Sequence, residues 1–268
     1  MPSPLRVSIG LWLINVTAVI GLMAWIFFDP VFVSLAEDNL LKLSIERVQS
    51  DPFYVVDRRS QWLSAAGMVV VLTLSCISWG AMLAGLVVGP AALRSLRAWL
   101  IVVSLACLWM SAASHWRQVA WQGKRHRLQA RVDEFERFAA PLREQWPSED
   151  GHSQRLGAYM AYPIGRPSVL VLLTLPKIPG MEASVSVVER GDAGQIRFQL
   201  AGQEQGDWLE WHPAGSLPRS FVGGIQDIFE LDRYQAVAPG WYLVHYSVPQ
   251  VRQEPRQGLT SGQPMHRA

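Results

Sequence analysis

Glu210 and His212 stand two residues apart in a run of β-forming residues, so on a strand both side chains would leave from one face, and His245 lies in a second such run. Were those strands neighbours, a carboxylate and two imidazoles would form an O/N/N set able to hold a divalent metal or to move a proton. The spacing is not that of a dense ligand motif, and Pro213 follows at once. Surface or turn-capping roles explain these residues more simply, and no metal, cofactor or catalytic residue is assigned from the sequence.

Ser216, in Ala214-Gly215-Ser216-Leu217-Pro218, lacks the second glycine of a Gly-x-Ser-x-Gly nucleophile elbow. Nucleotide binding has no support, because neither Gly-x-Gly-x-x-Gly nor Gly-x-x-x-x-Gly-Lys occurs. Cys76 and Cys107 fall in apolar stretches, where a buried thiol acts as a small hydrophobe. Arg190-Gly191-Asp192 spells an adhesion tripeptide, but its Gly and Asp sit where a hairpin turn is needed. The segment Asp207 to Gly224 resists a plain reading more than these. Trp208, Glu210, Trp211, His212, Arg219 and Phe221 are gathered in a stretch shaped by Gly and Pro, the composition of an interaction surface. The competing reading has the tryptophans closing the end of a small barrel.

These residues must be positioned by two very different halves. The chain has 268 residues, 50% hydrophobic and only 17% charged, against about 25% charged in an ordinary soluble domain. Residues 1–113 carry 13 of the charges and the remaining 155 carry 33, so the N-terminal half is membrane-like and the C-terminal half water-compatible. A single soluble globule, a disordered polyampholyte and a disulfide scaffold are excluded. A net charge of +2, dispersed along the chain, does not point to nucleic acid.

Three uncharged runs, Val7–Phe28, Trp62–Val88 and Ala98–Trp116, are each long enough as a helix to cross a hydrocarbon core of about 30 Å. A cleaved signal peptide is the alternative for the first, and its length favours retention. None of the spans contains Asp, Glu, Lys or Arg, which removes weight from a transporter. The small-residue pairs Gly80/Ala84 and Ala81/Gly85 are expected to pack inside the helix bundle, with self-association through that face of the second span as the alternative. Between the first two spans, residues 31–48 read as an amphipathic helix. Three basic residues flank one membrane face (Arg6, Arg94, Arg97) and nine the other, so the C-terminal part is expected in the cytoplasm, beneath a bacterial-type plasma (inner) membrane.

Beyond the third span, residues 117–150 read as a helical stalk and linker. Leu128, Val132, Phe135, Ala139, Leu142 and Trp146 form a heptad seam that packs on the following domain or pairs two protomers, and Pro141 predicts a break or kink near residue 140. Residues 151–248 change to strand patterning. Six runs, Ser168–Leu175, Ala183–Glu189, Gln195–Ala201, Asp207–His212, Ile228–Ala236 and Trp241–Val248, predict a small antiparallel sandwich or barrel, and residues 249–268 a disordered tail.

The sequence therefore predicts an α+β membrane protein: a membrane domain over 1–116, a stalk, and a β domain whose role is interaction or assembly at the bilayer surface without catalysis. Its partners would be the lipid bilayer and a protein, or a second copy through residues 128–146 or the second span. Two rivals remain, a membrane-bound enzyme using Glu210, His212 and His245 or Ser216 with a histidine, and an accessory subunit of a transporter or signalling complex.

Overall fold

The computed structural model describes residues 4–29, 58–89, 95–174, 184–201, 206–224 and 227–247; the expected loop helix at 31–48 and the tail at 249–268 lie outside them. Among the described residues four helices, α1 (Pro4–Phe28), α2 (Arg58–Val88), α3 (Leu96–Gln129) and α4 (Val132–Glu144), precede a nine-stranded sheet. Its strands are β1 (Gly151–Ser153), β2 (Gly157–Tyr162), β3 (Val169–Leu172), β4 (Ser184–Arg190), β5 (Ile196–Ala201), β6 (Asp207–Trp211), β7 (Phe221–Val222), β8 (Ile228–Ala238) and β9 (Trp241–Ser247). Helices α1, α2 and α3 each contain a stretch apolar and long enough to cross a membrane, so the chain is built as a multi-pass membrane protein.

A polar contact inside the bilayer segment fixes how the three spans meet. Asn15 of α1 is fully buried; its Nδ2 donates to Ser78 Oγ of α2 at 2.8 Å, and its Oδ1 accepts from Trp109 Nε1 of α3 at 3.3 Å. Ser78 Oγ donates onward to the Leu11 carbonyl at 3.1 Å. In hydrocarbon an unpaired amide costs several kcal/mol, so the group finds partners on both neighbouring helices and sets their register. Three of the four residues in the small-residue pairs of α2 do not serve this packing. Gly80, Ala81 and Ala84 face outward, and a Cβ on Gly80 would meet nothing within 4 Å, because the α2 contact is made by Ser75, Ser78, Met82 and Leu86 instead. Cys76 and Cys107 also lie on outer faces rather than buried.

No helix boundary occurs at Trp116. Helix α3 runs unbroken through 34 residues, about 51 Å at 1.5 Å per residue, some 20 Å more than a bilayer core needs. The surplus turns lie under the sheet. At the far end of α1, Gly123 of α3 meets the chain so closely that a Cβ would overlap the Phe27 carbonyl, and the Arg127 guanidinium donates to that carbonyl. A cation on the last, otherwise unpaired carbonyls of a helix is favoured by the helix dipole.

The chain turns at Ala130-Arg131, not near residue 140. Pro141 stays inside α4, and the Arg137 carbonyl that it deprives of a backbone donor accepts the guanidinium of Arg155. The seam is used within the chain: Leu128, Phe135, Ala139 and Leu142 are buried, and Val132 and Trp146 pack at their side, against Leu170, Val188, Ile196, Phe198, Leu209, Trp241 and Leu243.

The sheet is antiparallel and open, in the order β1-β2-β3-β4-β5-β6-β9-β8-β7, neither a closed barrel nor a two-sheet sandwich. Its edges are a three-residue and a two-residue strand that do not pair, too short to complete a ladder. One face is covered by α3 and α4. On the other, the β7–β8 hairpin folds back until Gly224 touches Val169 of β3, so tightly that a Cβ there would clash. Strands β1, β2 and β7 were not expected; β1 and β7 are only three and two residues long, and half of β2 is Gly157, Ala158 and Ala161, weak strand formers. Pro239-Gly240, with Gly240 at φ +76°, forms the tight turn between β8 and β9.

Replacing Asn15 by Ala is expected to lower the stability of the helix bundle by about 1 kcal/mol, the usual size of an interhelical hydrogen bond in lipid. A detergent-unfolding titration of the full chain followed by tryptophan emission measures it, and an unshifted midpoint would show the contact to be idle.

Candidate functional site

Alternation along β6 separates the residues that could have formed one centre. Glu210 pairs across the ladder with Tyr242, while His245 of β9 pairs with Asp207, three residues away and therefore on the opposite face. The strands are neighbours, yet Glu210 and His212 look away from the helices and His245 looks toward them. The O/N/N set does not assemble, and no group of three or more His, Cys, Asp and Glu side chains among the described residues could hold a metal.

His245 belongs to the junction with α3. Its Nδ1 lies 2.6 Å from Asp207 Oδ1, Lys124 of α3 forms an ion pair with the same carboxylate, and the ring meets Trp121 edge-on. Burial pushes the Asp207 carboxyl up, but the charge and hydrogen bond of Lys124 together with the hydrogen bond from His245 outweigh it, so the group ends below its ordinary 3.8. Its stability contribution is present above the ordinary value and lost as pH falls through the folded one.

The outer face holds a buried polar chain. Arg197 of β5 lies between two carboxylates, 3.6 Å from Glu189 Oε1 on β4 and 3.4 Å from Glu210 Oε1 on β6, with its guanidinium carbon 3.8 Å above the Phe221 ring. Tyr246 Oη donates to Glu210 Oε1 at 2.8 Å. His212 Nε2 sits 2.7 Å from Glu210 Oε2, and His212 Nδ1 sits 3.1 Å from Ser216 Oγ. With its proton on Nε2 the imidazole donates to the carboxylate, and Nδ1 is free to accept the serine O–H. Ser216 is half-buried in a turn reached through Gly215 at φ +81°, closed by its own N–H to the Pro213 carbonyl. Aromatic rings of Trp208, Phe221, Phe229 and Tyr246 wall the charges from water.

Two acids share one guanidinium here. Desolvation pushes Glu189 up to about 7, with Arg197 opposing, Glu210 reinforcing, and the Gly224 N–H opposing again. Burial, then the neighbouring Glu210, raises the Tyr246 phenol far above its usual range, so it remains a donor. The cluster can thus take up a proton near neutrality, and it can deliver a serine hydroxyl to an imidazole backed by a carboxylate.

Of the six residues expected as an interaction surface, Trp208, Glu210 and His212 are interior at 1%, 0% and 2% exposure. Trp211 projects toward the helices, stacked 4.2 Å from the Arg143 guanidinium. Phe221 is half-buried, and Arg219 is exposed with its carbonyl 3.3 Å from Tyr246 Oη. Glu189, Arg197 and Tyr246, which tie these residues together, carry no local signal in the sequence, since their strands are joined only by pairing. Comparison with family models, with characterised proteins and with solved structures finds no match for the chain.

Because Glu189 has its folded pKa raised, its stability contribution is full below its ordinary 4.5 and falls away as pH rises toward about 7. Glu189→Gln, a neutral mimic of the protonated acid, is expected to flatten the thermal midpoint of the full chain between these limits; a slope equal to wild type would rule the charge out. Arg197→Met should cost roughly 3–5 kcal/mol at neutral pH by leaving two buried carboxylates without their cation, measured by urea unfolding in detergent.

Proposed function

We propose that the chain is a membrane-anchored assembly module, in which three spans hold a β-sheet domain against the bilayer surface for contact with a protein partner. The observation that carries this reading is the continuity of α3. The same helix lies in the bilayer bundle and under the sheet, where Lys124 pairs with Asp207 and Arg125 Nε donates to the Ala236 carbonyl at 2.8 Å. A hinge would let the domain swing; a continuous helix clamped on both sides presents it at a fixed height. Exposed apolar side chains at Ile164, Leu217 and Tyr234 supply surface for contact. The excess of basic residues beside this face supports a cytoplasmic position for the domain, under the plasma membrane.

A photo-crosslinking residue placed at Ile164, Leu217 or Tyr234 in intact membranes is expected to give an adduct heavier than the monomer from at least one position. Monomer from all three would remove the assembly reading. A fluorescent protein fused after Ala268 should glow and alkaline phosphatase there should be silent; the reverse would move the domain to the other side.

A second reading has an observation of its own in the Ser216–His212–Glu210 chain, which is the hydrogen-bonding order of a serine hydrolase relay. In that case a fluorophosphonate probe would label Ser216 in the folded chain, and labelling would vanish in Ser216→Ala and fall at least tenfold in His212→Gln, since the base contributes 10²–10⁴-fold. No labelling above a heat-denatured control excludes it.

A further inference from the structure

Three guanidiniums at the base of the sheet domain are left over after the ion pairs are counted. Lys124, Arg131, Arg143 and Arg197 each have a carboxylate partner, whereas Arg117, Arg125 and Arg233 have none among the described residues. Arg117 and Arg125 lie one turn to either side of Trp121 on α3, and Arg233 of β8 stacks on the Trp121 ring at 4.2 Å. Arg125 is held by its Nε on the Ala236 carbonyl, which leaves its two terminal nitrogens uncommitted. Arg117 rests on the Trp116 ring at 5.5 Å, and the Arg233 Nε has no hydrogen-bond partner among the described residues. Nearby, Asp207 is already engaged by Lys124 and His245.

Their depth identifies what they face. Helix α1 is apolar to Phe28, and its Phe27 backbone packs against Gly123, so the bilayer surface crosses α3 between Trp116 and Arg127. Three unpaired cations at that level, with Trp116 and Trp121 between them, meet the headgroup layer. We infer that Arg117, Arg125 and Arg233 form a binding site for the phosphodiester of an anionic phospholipid, seated beside Trp121 where the sheet domain meets the membrane. Guanidinium forks suit phosphate oxygens, stacking on indole fixes two of the three forks, and a bound headgroup would tie β8 to the lipid as Lys124 ties β6 to α3.

The test is native mass spectrometry of the full chain in a mild nonionic detergent, with phosphatidylglycerol or phosphatidylcholine added at equal concentration. Retention of phosphatidylglycerol is expected to exceed that of phosphatidylcholine by at least tenfold, and each change of Arg117, Arg125 or Arg233 to Gln should reduce it about fivefold, the factor one surface cation supplies at an anionic membrane. Equal retention of the two lipids by wild type overturns the site. So does a triple Gln variant that keeps its thermal midpoint and still holds phosphatidylglycerol like wild type. If the triple variant does not fold, Arg117→Gln decides, because among the described residues Arg117 makes no ion pair and rests on the neighbouring Trp116 ring; unchanged retention there counts against the proposal. Millimolar inorganic phosphate that displaces phosphatidylglycerol completely would reassign the pocket to a free anion and overturn the lipid.

Discussion

The structure depends on one helix serving two solvents. In its first turns α3 must be apolar all round, because lipid and two other helices surround it; in its last turns it must offer one apolar stripe to a sheet and polar groups elsewhere. Trp121 and Leu128 are buried under the sheet, while Gln122, Lys124 and Arg125 bond to β8 and β6. Gly123 sits between these and gives its missing side chain to the end of α1. Any shift of α3 along its axis would break the Lys124–Asp207 pair and drive Gly123 into Phe27 together. The membrane bundle and the sheet domain therefore share one register, and neither can be repositioned independently.

Within the sheet the two faces are stabilised by different physics. Apart from the Asp207–His245–Lys124 group at one end, the helix-side face is held by apolar side chains, with Phe135, Phe198 and Trp241 meeting at ring separations of 5.7 to 6.3 Å. There each buried aromatic contributes on the order of 3–5 kcal/mol against truncation. The opposite face buries two carboxylates, a guanidinium and an imidazole, whose desolvation offsets most of their mutual attraction. Such a network adds little net stability, but it allows only one strand alignment, because a slip of one residue would leave Arg197 among apolar side chains and two acids without it. The rise of Glu189 to about 7 reflects that arrangement: burial, reinforced by the neighbouring Glu210, outweighs the pull of the one cation.

Much of this architecture is legible in local sequence. The three spans stand out because lipid tolerates no charge over some twenty residues, and six of the strands because β-branched and aromatic runs are broken by Gly and Pro. The seam from Leu128 to Trp146 is visible from its spacing, although spacing alone could not say which apolar surface it meets. Asn15 was one polar residue among several in the spans. Its partners Ser78 and Trp109 lie 63 and 94 positions away, a separation at which no pattern in one chain connects them.

What the sequence determined by itself is the division of the molecule between lipid and water, and the type of most elements, because both follow from side-chain solubility and short-range periodicity. Only the tertiary structure decided which residues meet. The parity of β6 against β9 sent His245 to the helix face and Glu210 to the other, and the turn at Gly215 carried Ser216 back to His212. Those outcomes rest on strand pairing and register, which are set by the packing of the whole sheet on α3 and α4 and are not encoded at any one position.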